Sequence, residues 1–190
     1  MKFRIGILSI LLMISLLIDQ SLFSLAMILA IILHECGHIL AARLCGIKLR
    51  ECRIGLFSAG LFPKDSIFSY KKEIFLCFAG PAVNFITSLP LIFFIHENTA
   101  FLQYFVFSSI ALGILNLIPI ADFDGGRILR AFLYILVEER YARGFLYLLS
   151  MVCVLLLWLL SVYILLRRGS SLSLFIFSIS LFGRIFVSEQ

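Results

Sequence analysis

The sequence predicts an all-α polytopic membrane protein of about six transmembrane helices, with a short membrane-surface β-hairpin after the second helix and a break in the fourth. Three observations carry this. Of 190 residues, 62% are hydrophobic and 14% are charged, whereas a soluble domain is about half apolar and about a quarter charged. The mean hydropathy is +1.11, and the apolar residues fall in runs near the ~20 that a helix needs to cross the hydrocarbon. The charges collect in a few connecting stretches, above all 45–72. One compact domain over 1–190 is expected, with its core at 21–130.

Residues 3–18 follow Lys2 and Arg4 as an apolar run with no clean small-x-small cleavage site behind it. A short first span is therefore expected rather than a signal peptide, turning at Asp19-Gln20. Residues 21–44 make the second span. The next stretch holds Lys48, Arg50, Glu51, Arg53, Lys64, Asp65, Lys71 and Lys72. Its partial alternation from Lys48 to Ile54, interrupted by Gly55, Gly60 and Pro63, predicts the hairpin. So much Lys and Arg places that side in the cytoplasm.

The third span, 73–95, carries Gly80-Pro81 and an amide, Asn84. Its simplest explanation is a kink, with Asn84 bonding a neighbouring backbone. His96-Glu97-Asn98 is an outside turn. The fourth span, 100–118, runs into Pro119, Asp122, Asp124 and Gly125-Gly126. Irregular backbone at this depth is tolerated only where it packs on protein or lines a cavity. A helical segment over 127–140 belongs near the cytoplasmic interface. Spans over 145–166 and 171–187 come next, separated by Arg167-Arg168-Gly169. That Arg pair falls outside, against the positive-inside bias, which the larger 43–72 cluster dominates.

The net charge of +5 reflects anchoring residues spread among loops. No aromatic-interleaved basic patch is present, so nucleic acid is not an expected partner. The five cysteines, Cys36, Cys45, Cys52, Cys77 and Cys153, form no CxxC pair and read as reduced thiols in apolar surroundings.

Chemistry concentrates at Leu33-His34-Glu35-Cys36-Gly37-His38. On a helix His34 and His38 are one turn apart and share a face, so two neutral imidazoles can hold one zinc ion. Glu35 is then placed to take a proton from the attacking water. Imidazole and carboxylate at bilayer depth are costly and face a partner or a wet cavity. His34 lies nine residues before Arg43, about 13 Å below the basic end of the helix. Cys36 points to a different face and is not counted as a ligand.

Catalytic zinc wants a third protein ligand and an open position. Asp124 is the candidate, an acid among glycines that free the backbone. Asp122 is its rival, though two residues away it faces the other side of an extended strand. Asp124 could instead cap the helix after it, but the HExxH motif tips the choice towards ligation. His96 would lie across the membrane from His34 and reads as a loop residue.

Three ordered motifs resemble one family. His34-Glu35-Cys36-Gly37-His38, then Ala79-Gly80-Pro81-Ala82-Val83-Asn84, then Asn116-Leu117-Ile118-Pro119 with Asp124-Gly125-Gly126-Arg127, are similar to the site-2 proteases, intramembrane zinc metalloproteases. The layout resembles the branch typified by the stage IV sporulation protein FB, which processes a sigma-factor precursor. The resemblance implies one zinc held by His34, His38 and Asp124, with Glu35 as catalytic acid/base. It implies that Asn84 and Asn116 bind substrate or polarise its carbonyl, and that Gly80, Pro81, Pro119 and Gly125 shape the site. The family's site opens to the cytoplasm. Asp122-Phe123 stands where members often carry Pro-Leu, and no PDZ or CBS domain is expected.

The function so implied is cleavage of a transmembrane or membrane-associated precursor near the cytoplasmic side. A substrate must arrive extended, because a helix hides its scissile bonds, and residues 48–62 are expected to pair with it as an added edge. Expected partners are the bilayer and that substrate, with a membrane inhibitor protein a candidate. The alternative is a membrane zinc transporter or a non-proteolytic zinc-binding membrane protein. Transporters line a path with ligands on both sides of the midplane; this chain has three His, two of them in one motif, and no His-rich loop.

Overall fold

A computed structural model of the chain describes residues 2–5, 21–47, 49–54, 59–63, 69–96, 99–168, 178–179 and 181–182. In chain order these form strand β1 (Lys2–Ile5), helix α1 (Leu22–Leu44), strands β2 (Leu49–Ile54) and β3 (Ala59–Pro63), and helix α2 (Tyr70–Ser88). A 3-10 turn over Pro90–Phe94 precedes helices α3 (Ala100–Leu117), α4 (Asp124–Leu136) and α5 (Glu139–Arg168). They group into two units, 1–117 and 118–190.

In the first unit, α1, α2 and α3 pack against one another. Helix α1 starts because the Ser21 hydroxyl accepts the Ser24 N–H at 3.1 Å, filling one of the unpaired donors of the first turn. It ends because Gly46 takes φ 66°, a conformation that costs other residues about 1–2 kcal/mol. The Gly46 N–H then reaches the Arg43 carbonyl at 3.0 Å and the Ile47 N–H reaches that of Ala42 at 2.9 Å. This pair of bonds is the Schellman closure. Ile47 packs back on the buried Ala41, Ala42 and Leu76.

The face α1 turns inward is built from small residues: Ser24, Ala26, Ala30, Gly37, Ala41 and Ala42, with both histidines among them. In a bilayer, helices associate by close backbone approach, which small residues permit. Gly37 shows why. A Cβ there would lie 2.7 Å from the Ala79 carbonyl oxygen of α2. Gly113 of α3 likewise faces the Phe85 ring, 3.0 Å from where its Cβ would be. Beyond the site, Ala26 and Ala30 pack with Phe105 and Val106.

In the second unit, the chain after α3 folds back before α4 begins. The Phe123 N–H bonds the Ile120 carbonyl at 2.8 Å, and the Ala121 N–H is held by the Ser150 hydroxyl of α5 at 3.0 Å. Gly126 sits directly against the Ile120 carbonyl, so only glycine fits that first turn. Helices α4 and α5 pack together.

This corrects the expected architecture. Four helices among the described residues are long and apolar enough to cross a membrane, Leu22–Leu44, Tyr70–Phe94, Ala100–Leu117 and Glu139–Arg167, where six spans were expected. The start of the expected first span is a strand, because Lys2–Ile5 pairs parallel with β2 in the register Lys2↔Glu51 to Ile5↔Ile54; the rest of 3–18 lies outside the described residues. The fold is thus not all-α, and the surface element is not a two-stranded hairpin. It is a three-stranded sheet in the order β1-β2-β3, with β3 antiparallel to β2. The expected fourth span is unbroken. After it comes α4, a separate helix of 13 residues, about 20 Å long and too short to span. Arg167 and Arg168 end α5. The expected helix over 171–187 is described only at 178–179 and 181–182, which are helical.

Candidate metal centre

His34 and His38 stand one turn apart on the inward face of α1, each 3% exposed. Their Nε2 atoms are 3.1 Å apart and their rings meet edge to face at 82°. Two nitrogens bound to one tetrahedral zinc at about 2.0–2.1 Å each would be about 3.3 Å apart. The pair is therefore already set to that spacing.

Each ring is held from behind. The Nδ1 of His38 lies 2.8 Å from the Leu76 carbonyl oxygen. This leaves its Nε2 lone pair pointing at His34, the usual arrangement behind a metal-ligating imidazole. Pro81 lacks the N–H that would bond the Cys77 carbonyl one residue further on. The Nδ1 of His34 lies 3.4 Å from Asn84 Nδ2. Asn84 is itself fixed in α2, where its carbonyl accepts the Ser88 hydroxyl at 2.6 Å.

Between the rings and α2 there is a space that only glycine leaves open. A Cβ on Gly80 would lie against His38 Nε2 and 2.8 Å from His34 Nε2. Any side chain at this position would fill the point towards which both nitrogens aim. Pro81 beside it is buried.

Asp124, the third expected ligand, lies in the second unit. Asp124 is 1% exposed. It is the first residue of α4 and not its cap, since Phe123 holds the N-cap position. A carboxylate there is favoured by the helix dipole. Two buried imidazoles at this spacing suit zinc.

Glu35 adjoins His34 on α1 and is half-buried. Asp122 is half-buried. Asn116 donates to Leu112 of its own helix at 3.0 Å, and among the described residues its buried Oδ1 has no partner. The Pro119 carbonyl faces the Ser150 hydroxyl at 3.5 Å, and Gly125 is buried in the first turn of α4. Cys36 and His96 are exposed. The residue pattern could not reveal the Leu76 carbonyl, a backbone atom that any residue type would supply.

Comparison with known proteins bears on the family of the chain. Zinc metalloprotease MJ0392 of Methanocaldococcus jannaschii is 36% identical over 110 residues, which are 55% of this chain and 32% of that protein. The matched chain thus spans about a third of that relative. The solved site-2 protease from Methanocaldococcus jannaschii superposes with a TM-score of 0.70 at 22% identity, covering 100% of this chain and 92% of that one; the likeness is one of fold. The model of peptidase family M50 matches residues 22–99 and 95–160. With four helices able to span and most of its length matched by that family, this integral multi-pass membrane protein belongs to peptidase family M50, the site-2 proteases.

Proposed function

We propose that the chain is an intramembrane zinc endopeptidase that cuts transmembrane or membrane-associated precursors, a sigma-factor precursor or related regulator among them, near the cytoplasmic side. The observation that carries this is the buried pair of His34 and His38, their Nε2 atoms 3.1 Å apart, in a chain with four helices among the described residues long enough to cross a bilayer. The cytoplasmic side is supported by the Lys and Arg of residues 43–72 at the end of α1 nearer the histidines' basic flank.

When bound, zinc polarises the scissile carbonyl and brings the attacking water's pKa towards about 7. His34, His38 and Asp124 hold it. Glu35 takes the water's proton and passes it to the leaving amine nitrogen, a role worth about 10²–10⁴ in rate. Asn84 donates to the carbonyl oxygen as it becomes negative. A substrate helix must open before it is cut, since its peptide groups are tied in their own ladder. The edge of β3 offers an extended segment backbone partners in place of that ladder.

Glu35→Gln tests the assignment in purified protein with a model transmembrane substrate. Zinc should be retained and cleavage should fall by at least about 10². Undiminished cleavage by this variant would overturn the mechanism.

A further inference from the structure

Asn84 is the most buried polar side chain beside the rings, at 0% exposure. Its two ends are in unequal positions. The Nδ2 faces His34 Nδ1 at 3.4 Å, while Oδ1 is buried with no hydrogen-bond partner among the described residues. Zinc on His34 Nε2 uses that nitrogen's lone pair, so the neutral ring carries its proton on Nδ1. An N–H then points at whichever end of the carboxamide stands there. An amino group cannot accept it; a carbonyl oxygen can. The two ends of a carboxamide have nearly the same shape, and a half-turn about Cβ–Cγ exchanges them. That half-turn gives His34 Nδ1–H its acceptor and gives the orphaned Oδ1 its donor in one movement.

We infer that Asn84 is a positioning residue for the metal: its side-chain carbonyl accepts the His34 Nδ1–H and so fixes the tautomer that offers Nε2 to zinc. This rests on the zinc site proposed above. The two histidines are then served alike, His38 by the Leu76 carbonyl at 2.8 Å and His34 by a side-chain carbonyl, both from α2. The amino end is left with both hydrogens for another acceptor, which is what the oxyanion role asks. One carboxamide would thus do two separable jobs, one at each end.

The variants Asn84→Asp and Asn84→Leu separate them in the purified full chain. Aspartate keeps an acceptor and loses the donors; leucine loses both. Cobalt(II) and zinc affinities are read by competition with a chelator, beside cleavage of a model substrate. Asn84→Leu should bind metal about 10–100-fold more weakly, the usual loss when an imidazole's outer partner is removed. Asn84→Asp should bind within a few fold of native or tighter, yet cleave about 10²–10³-fold more slowly. Native affinity in Asn84→Leu overturns the inference. If leucine prevents folding, NMR on the native metal-loaded protein with labelled Asn and His replaces it. The His34 Nδ1 proton should couple through the hydrogen bond to the Asn84 side-chain carbonyl; contact with the Asn84 amino protons instead overturns the inference. Native chain that binds no metal, or His34→Ala that binds as well as native, would sink the zinc site itself and so be told apart.

Discussion

Glycine at position 80 leaves free the space beside both imidazole Nε2 atoms. A single methyl there would press on both Nε2 atoms. Forcing it in costs about 1–3 kcal/mol of overpacking, of which about 1 kcal/mol returns as helix propensity. Gly80→Ala should therefore leave the protein folded and slightly destabilised, while its zinc affinity drops at least tenfold. Thermal unfolding in detergent together with metal content checks both, and full zinc occupancy in this variant would contradict the cradle. At this scale much is legible in the sequence. The spacing of His34 and His38 needs only helical periodicity. The supports are not legible. The Leu76 carbonyl has no side-chain signature, and the contact of Gly80 with the rings depends on how closely α2 approaches α1.

At the scale of elements, periodicity locates α1, α2 and α3 well because each is a long apolar run with its own signals. Ser21 caps one end of α1 and Gly46 turns the other. Strand β1 escapes such reading for a physical reason. Lys2–Ile5 opens an apolar run, and its strand state comes from pairing with residues some fifty positions later, which no local pattern contains. Helix α4 stops at Leu136 and not at residue 140, with Val137 and Glu138 between it and α5; Glu139 and Arg140 read as a polar helix end but open the next helix. Strand β3 has β2 on one side, and the proposed substrate would pair with the other. In an antiparallel strand successive N–H groups point to opposite sides. Proline placed at Gly60 and at Leu61 in turn removes one inward and one outward donor. One of the two should lower cleavage roughly fivefold, the worth of about 1 kcal/mol for one hydrogen bond, with zinc content unchanged. No change in cleavage from either proline would remove β3 as the substrate's partner.

At the scale of the whole molecule, membrane residence is legible from composition and the number of spans is not. Apolar runs report hydrophobicity, and the run that Lys2–Ile5 opens begins as a strand. Orientation is read from charge. Lys72, exposed at the start of α2, reaches back to the Cys45 carbonyl at the end of α1, 3.2 Å away. It belongs to the basic cluster on which the proposed cytoplasmic side rests. In a variant whose other cysteines are replaced, Lys72→Cys should react with a membrane-impermeant thiol reagent in inverted vesicles and not in intact cells. The opposite pattern would invert the molecule and move the proposed cleavage to the other side.

The proposed chemistry depends on a third ligand for the two imidazoles, and Asp124 is the carboxylate proposed for it. Zinc content of purified Asp124→Ala, beside native protein and Asp122→Ala, tests it most directly. One zinc per chain is expected in native protein and in Asp122→Ala, with most of it lost from a still-folded Asp124→Ala. Full zinc in Asp124→Ala, or its loss from Asp122→Ala instead, would contradict this assignment.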